Sequence, residues 1–255
     1  MSMSEEQQFD QEKEMNLTGH LSELRNRLIV TAVFFFLFFI LGFIFVEDIY
    51  WFFVNDFDFK LTVISPGEII WLHFTMAGLV AIAATIPILA FQVWSFIKPG
   101  LTPNERKASL AYIPAIFLLF LGGMVFGYFM FVKLIMPFLL SLNNGMFNEM
   151  FTVDKYFKFL LRITFPFALL FEIPMIAMFL TSLGILTPDF MRRTRKYAYL
   201  ILIIIGTIVT PPDFILQIVV AIPLIILYEI SIYLAAIVYR KKLRKHKEYM
   251  EQDSI

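Results

Sequence analysis

Four carboxylates stand within or beside long apolar runs, where an acid needs a reason. Glu105 lies in Thr102-Pro-Asn-Glu-Arg-Lys-Ala108, a short polar stretch between two such runs. Glu23 lies in the stretch from Leu17 to Leu28, where Leu17, Leu21, Leu24 and Leu28 recur at helical spacing and Glu23, Arg25 and Arg27 take other faces. That pattern predicts an amphipathic helix lying along a membrane, and an ordinary interfacial anchor satisfies it equally well. Two carboxylates at one surface can accept a pair of guanidinium groups in bidentate geometry, which an ammonium matches poorly. Glu172, in Leu169-Leu-Phe-Glu-Ile-Pro174, and Glu229, in Leu227-Tyr-Glu-Ile230, lie inside apolar runs. A charge at mid-span costs roughly 3 kcal/mol, so such acids tend to face a bundle interior or a wet cavity. Each is equally a buried acid bonded to a neighbouring helix. Arg162 is a poor partner for Glu172, being ten positions earlier, about 80° around a helix and about 15 Å along it.

Other chemistry is missing. There is no Cys, which removes disulfides, thiolate metal sites and thiol catalysis. His20, His73 and His246 are far apart and form no ligand spacing, so no metal or cofactor is expected. No P-loop, nucleophile elbow, zincin or dinucleotide fingerprint is present, and an enzyme is not expected.

The elements that carry these residues follow from composition. Of 255 residues, 59% are hydrophobic, 16% are charged and 31 are Phe. Mean hydropathy is +0.76. Soluble domains are nearer half apolar and a quarter charged, so the class is an all-α integral membrane protein. Lys plus Arg and Asp plus Glu balance at 21 each, and no nucleic-acid partner is expected. Apolar runs predict six transmembrane helices over 29–46, 69–97, 108–132, 159–183, 197–209 and 214–239, with helices five and six short. Sixteen Lys and Arg fall in the N-tail, 98–108, 184–196 and the C-tail, against five in the alternate segments and span four. That bias puts both termini in the cytoplasm. The expected organisation is a cytoplasmic N-tail with its amphipathic helix over 1–28, a membrane domain over 29–239 and a basic C-tail over 240–255. The acidic, polar start has no basic n-region, so a removable signal peptide is not expected.

Three features of the spans bear on function. The thirteen apolar residues of span five reach only about 20 Å, short of a hydrocarbon core of about 30 Å. A hairpin shielded by other helices and a thin patch of membrane both fit. Gly123 and Gly127 permit close helix contact, although such pairs are common in membranes. Pro166 and Pro174 kink span four and can make the surface facing Glu172 concave.

Several stretches together resemble the TatC family, the multispanning receptor subunit of the twin-arginine protein translocase. They are His20-Leu-Ser-Glu-Leu-Arg-Asn-Arg-Leu28, the run from Phe91 to Arg106, Phe171-Glu-Ile-Pro174, the turn Thr210-Pro-Pro-Asp213 with Gln217, and Ala221 to Glu229. The resemblance implies a non-enzymatic receptor in the cytoplasmic membrane that binds twin-arginine signal peptides of folded cargo. It implies assembly with TatA- and TatB-type single-span subunits, self-association in the complex and export driven by the proton-motive force. Glu23 and Glu105 match the family's acceptors for the arginine pair, with Arg25, Phe96 and Arg106 as neighbours in the patch. Glu172 matches its intramembrane acid, and Thr207, Thr210 and Gln217 match positions where partner helices dock. After Asp48-Ile-Tyr50, where the family often has proline, this chain reads Val54-Asn-Asp-Phe57, so its outer cap is expected to differ. The rival class is a proton-coupled small-solute carrier using Glu172 and Glu229 as proton sites. Carriers often show inverted repeats, and none is visible between the two halves.

Overall fold

The fold is a bundle of long apolar helices, seen in a computed structural model that describes residues 3–54, 61–98, 106, 110, 112–144, 146, 150–210 and 213–252, with side chains between 22 and 244. In chain order the helices are α1 (Met3–Ile44), α2 (Val46–Val54), α3 (Pro66–Ile97), α4 (Tyr112–Met130), a π-helical turn (Phe131–Ile135), α5 (Met136–Ser141), α6 (Val153–Leu170), α7 (Ile173–Leu183), α8 (Pro188–Arg193), α9 (Arg195–Val209) and α10 (Phe214–Gln252). Among the described residues there is no strand, only an isolated parallel bridge between Thr62 and Thr152. Backbones must close their hydrogen bonds internally in hydrocarbon, and helices do so within each segment.

Among the described residues, five segments are long and apolar enough to cross a bilayer: Ser22–Ile44, Pro66–Ile97, Tyr112–Ser141, Val153–Leu183 and Phe214–Arg244. The fifth expected span, α9, is a helix of only 15 residues, about 22 Å long. The sixth departs from expectation. It is not short: α10 runs 39 residues without a break. Arg240-Lys-Lys-Leu-Arg244 follows its apolar run with good helix formers and no Gly or Pro, so nothing stops the helix where hydrophobicity ends. The amphipathic stretch 17–28 likewise belongs to α1 and runs into span one without a break.

Neighbouring helices pair antiparallel. Arg27 of α1 meets Gln92 and Ser95 of α3, while a Cβ on Gly42 would lie 3.0 Å from Val80 Cβ and 3.1 Å from Ala77 Cα. The glycines of α4 face the backbone of α6. A Cβ on Gly123 would stand 2.7 Å from Ala168 Cα, and one on Gly127 2.7 Å from Thr164 Cα. The small-residue pair is therefore a true backbone contact. Around it Phe120, Phe131, Phe157, Ile163 and Phe167 are fully buried. Outward faces stay apolar and open: Phe36 is 63% and Ile40 62% exposed, as lipid-facing residues are.

One end of the bundle is closed by paired segments. Thr62 N–H donates to the Phe151 carbonyl at 2.9 Å, Val153 N–H to the Thr62 carbonyl at 3.1 Å, and the Tyr156 hydroxyl to the Phe53 carbonyl at 3.1 Å. Thr152 caps α6 and Ser65 caps α3 at the same end. The basic segments gather at the other end, where Lys242 of α10 donates to the Ser182 carbonyl at 2.7 Å and closes the end of α7.

Span four is broken at its acid. Pro174 has no N–H to return to the Leu170 carbonyl, and the chain turns at Phe171–Glu172 between α6 and α7.

A side chain at Gly123 has no room to enter. Gly123→Leu is expected to lower thermal stability in detergent by about 1–3 kcal/mol or to prevent folding. Gly122→Ala, with nothing within 4 Å of its Cβ, should leave the melting temperature unchanged within a degree or so. Equal effects from the two substitutions would refute the packing assigned to Gly123.

Candidate functional site

The basic end of the bundle holds Glu23 of α1 against the last turns of α3. Arg27 lies one helical turn beyond Glu23, and its Nε donates to Glu23 Oε1 at 3.2 Å while Nη2 bonds the same oxygen. The guanidinium also crosses to α3. Nη1 donates to Gln92 Oε1 at 3.4 Å and Nη2 to the Ser95 carbonyl at 3.1 Å. The carbonyls that end α3 lack helical partners, which makes them natural acceptors for cations. Arg106 uses another of them, with Nε donating to the Lys98 carbonyl at 3.0 Å. Lys98 Nζ lies 5.4 Å over the Trp94 ring.

Glu23, through Arg27, and Arg106 are thus both linked to α3 within about one turn of each other. Phe96 is half-buried in that turn, and Arg25 is exposed on α1. Glu105 lies outside the described residues, as does the rest of Thr102–Ala108 apart from Arg106. His20 and His246 have no described side chains.

The second site lies deeper. Glu172 is 8% exposed, and neither carboxylate oxygen has a hydrogen-bond partner among the described residues. It lines a cavity of about 240 Å³ between α3, α4 and α7, with Ile86, Trp94, Tyr112, Met175 and Phe179 among the walls. The break before Pro174 places this acid at the head of α7, facing an apolar recess. Arg162 does not neutralise it. Arg162 Nε and Nη2 instead donate to the Ile208 carbonyl at 3.1 and 2.5 Å, closing the end of α9.

Glu229 has a different environment. It accepts from Arg195 Nη2 at 2.6 Å and from the Tyr199 hydroxyl, while Tyr228 OH donates to the Met191 carbonyl at 3.0 Å. These bonds clamp the first turns of α9 and α8 onto α10. Glu229 is a satisfied structural acid, which leaves the carrier reading only one of its two acids, Glu172, without a partner among the described residues.

The turn between α9 and α10 carries the expected docking residues. Thr207 is exposed on α9, with its hydroxyl bonded to the Ile203 carbonyl at 2.9 Å. Gln217 is half-buried on α10. Thr210 is 3% exposed, and its hydroxyl is bonded to the Gly206 carbonyl at 2.9 Å, so it shapes the helix end. Asp213 caps α10, with Oδ1 accepting from Ile215 and Leu216 N–H at 2.9 and 3.0 Å. Residues 211 and 212 are not described.

Sequence reasoning missed the roles of Arg27, Arg162 and Arg195. Arg27 carried the one available signal, an acid four residues earlier on a predicted helix. The partners of Arg162 and Arg195 are 46 and 34 positions away, and no local pattern announces them.

The family model described as Sec-independent protein translocase protein (TatC) matches residues 19–223. The Sec-independent protein translocase protein TatCd of Bacillus subtilis (strain 168) is 49% identical over 233 residues, covering 91% of this chain and 96% of that protein. TatC of Halalkalibacterium halodurans is 38% identical over 254 residues, covering 95% and 99%. A crystal structure of the twin-arginine translocase receptor TatC superposes with a TM-score of 0.74 at 31% identity, covering 86% of this chain and 99% of that one. A second, in DDM, gives 0.76 at 32% identity.

If Glu229 clamps α9 to α10, Glu229→Gln and Arg195→Gln should destabilise the protein non-additively. A double-mutant cycle on unfolding in detergent should return a coupling of about 0.5–1 kcal/mol, and a coupling of zero would remove the clamp.

Proposed function

The chain belongs to the TatC family of Sec-independent protein translocase proteins, and from that premise we propose that it binds twin-arginine signal peptides at the basic end of its bundle. It is a multi-pass membrane protein of the translocase, without catalytic chemistry of its own. In this reading both termini are cytoplasmic and α9 completes a sixth, short crossing. The single observation that carries the proposal is the geometry at Glu23. Its carboxylate engages a guanidinium through two donors, at the end of α3 where Arg106, the neighbour of Glu105, is also bound. A site that holds one arginine there has the chemistry for others, and Glu105 is the second acceptor.

Two exposed ion pairs contribute about 0–1 kcal/mol each and cannot hold a peptide by themselves. The apolar segment of the signal supplies the rest. The recess beside Glu172 suits it, since its walls, between Ile86 and Trp94 of α3, Tyr112 and Ile116 of α4, and Met175 and Phe179 of α7, are largely apolar and its one acid has no partner among the described residues. Single-span subunits of the TatA and TatB type dock near Thr207 and Gln217, with Thr210 holding the shape of the turn. Self-association and proton-motive-force-driven export belong to the same proposal.

A pull-down of the purified protein with a twin-arginine peptide should succeed where a twin-lysine control fails. Glu105→Gln should abolish arginine-dependent crosslinking of the peptide; retention of wild-type selectivity would refute the role of Glu105.

Glu172→Gln is expected to leave peptide capture at the basic end nearly intact while weakening peptide insertion or a partner-helix contact. A photocrosslinker at position 172 should trap peptide or partner. Capture of lipid and internal helices alone would count against the recess.

A further inference from the structure

The carboxylate assigned to the incoming peptide already carries a guanidinium of its own. Arg27 donates to Glu23 through Nε and Nη2, both to the single oxygen Oε1. An acid and an arginine four apart on a helix often meet in this way, and that contact alone means little. The remaining bonds of the same group mean more. Nη1 holds Gln92 and Nη2 also holds the Ser95 carbonyl, so Arg27 is fastened to α3 independently of Glu23. Its side chain is 21% exposed against 38% for Glu23. The arginine lies on the protein side of the pair and the acid is nearer solvent.

We propose that Arg27 is an internal occupant of the guanidinium site on Glu23, which an arginine of the signal peptide must displace. The inference rests on Glu23 being a peptide acceptor. Arg27 can give up the acid without losing its place, because Gln92 and the Ser95 carbonyl still hold it. Peptide arginine replaces like with like: two guanidinium N–H donors leave Oε1 and two arrive at the carboxylate. An ammonium cannot present that planar fork, so a lysine peptide breaks a two-donor contact and restores a poorer one. Arg27 therefore sharpens discrimination between arginine and lysine. Its fixed positive charge also opposes any dication approaching the same acid, so selectivity comes at the expense of affinity.

Full-length protein in lipid nanodiscs, titrated by fluorescence anisotropy with a twin-arginine peptide and a twin-lysine control, tests this. Arg27→Gln should tighten twin-arginine binding by about fivefold, the scale of one exposed ion pair. It should tighten twin-lysine binding more, so that the preference narrows. In a Glu23→Gln background the gain should vanish. Unchanged or weaker binding by Arg27→Gln overturns the inference and makes Arg27 a positioning residue for Glu23. A wild-type protein without arginine preference instead sinks the functional reading on which the inference rests. Arginine-labelled wild-type protein gives a measurement free of any folding defect. The Arg27 Nε–H resonance should move with saturating twin-arginine peptide and move less at the same concentration of twin-lysine, and a resonance unmoved by twin-arginine overturns displacement.

Discussion

Hydrocarbon offers no water to complete a hydrogen bond, so each polar group inside the bundle must be satisfied by the chain itself or left for a visitor. This constraint sorts the acids and bases of the spans. Glu229 is satisfied by Arg195 and Tyr199, and Arg162 by the carbonyl that ends α9. Glu172 is satisfied by nothing among the described residues. The distinction is chemical, since an acid held by two donors serves as a clamp, whereas an acid without a donor beside an apolar recess is available to something that enters. Thr85 and Thr181, buried with unbonded hydroxyls on α3 and α7, are left in the same condition.

That recess persists because the helices around it are fixed elsewhere. Gly123 and Gly127 let α4 approach α6 until only backbone lies between them, which locks that pair along its length. The Thr62–Thr152 bridge and the Tyr156–Phe53 bond join the far ends of α3, α6 and α2. With both of those contacts made, α3 cannot collapse onto α7, and the break at Phe171–Glu172 turns the acid toward the space between them. At the opposite end Arg27 ties α1, which carries Glu23, to α3, one of the three helices that wall the recess. A peptide engaging Glu23 would begin beside the helix that leads inward to the recess of Glu172.

Hydrophobic run length made five of the long helices legible from sequence, because a bilayer-sized apolar stretch has few alternatives. It misjudged ends, since hydropathy stops where helix propensity does not: Lys241 and Lys242 are poor membrane residues and good helix formers, so α10 continues past its apolar run. The π-helical turn at Phe131–Ile135, ahead of Pro137, extended the third span beyond its apparent end for a related reason. At the site, Glu172 was legible as an acid in a costly place and Glu23 as one on an amphipathic helix with Arg27 a turn away. That Arg27 is also fastened to α3 was not legible, since Gln92 is 65 positions away. Periodicity places a side chain on a helix face but cannot say which distant carbonyl that face will meet.

Arg162 bears on the shortness of α9. It lies nine residues into α6, so the end of α9 meets α6 about 14 Å inward from the start of that helix. Two of its donors are spent on Ile208, yet the side chain is exposed and has no carboxylate partner among the described residues. A guanidinium held only by a carbonyl at that depth in full-thickness hydrocarbon would be costly, and it becomes tolerable where water or headgroups reach inward. The cation and the short helix therefore favour the same arrangement, a membrane drawn thin along α9 and the start of α10. Thr207 and Gln217 stand on that side, so a partner helix docking there would meet polar groups at a depth where an ordinary span meets only lipid.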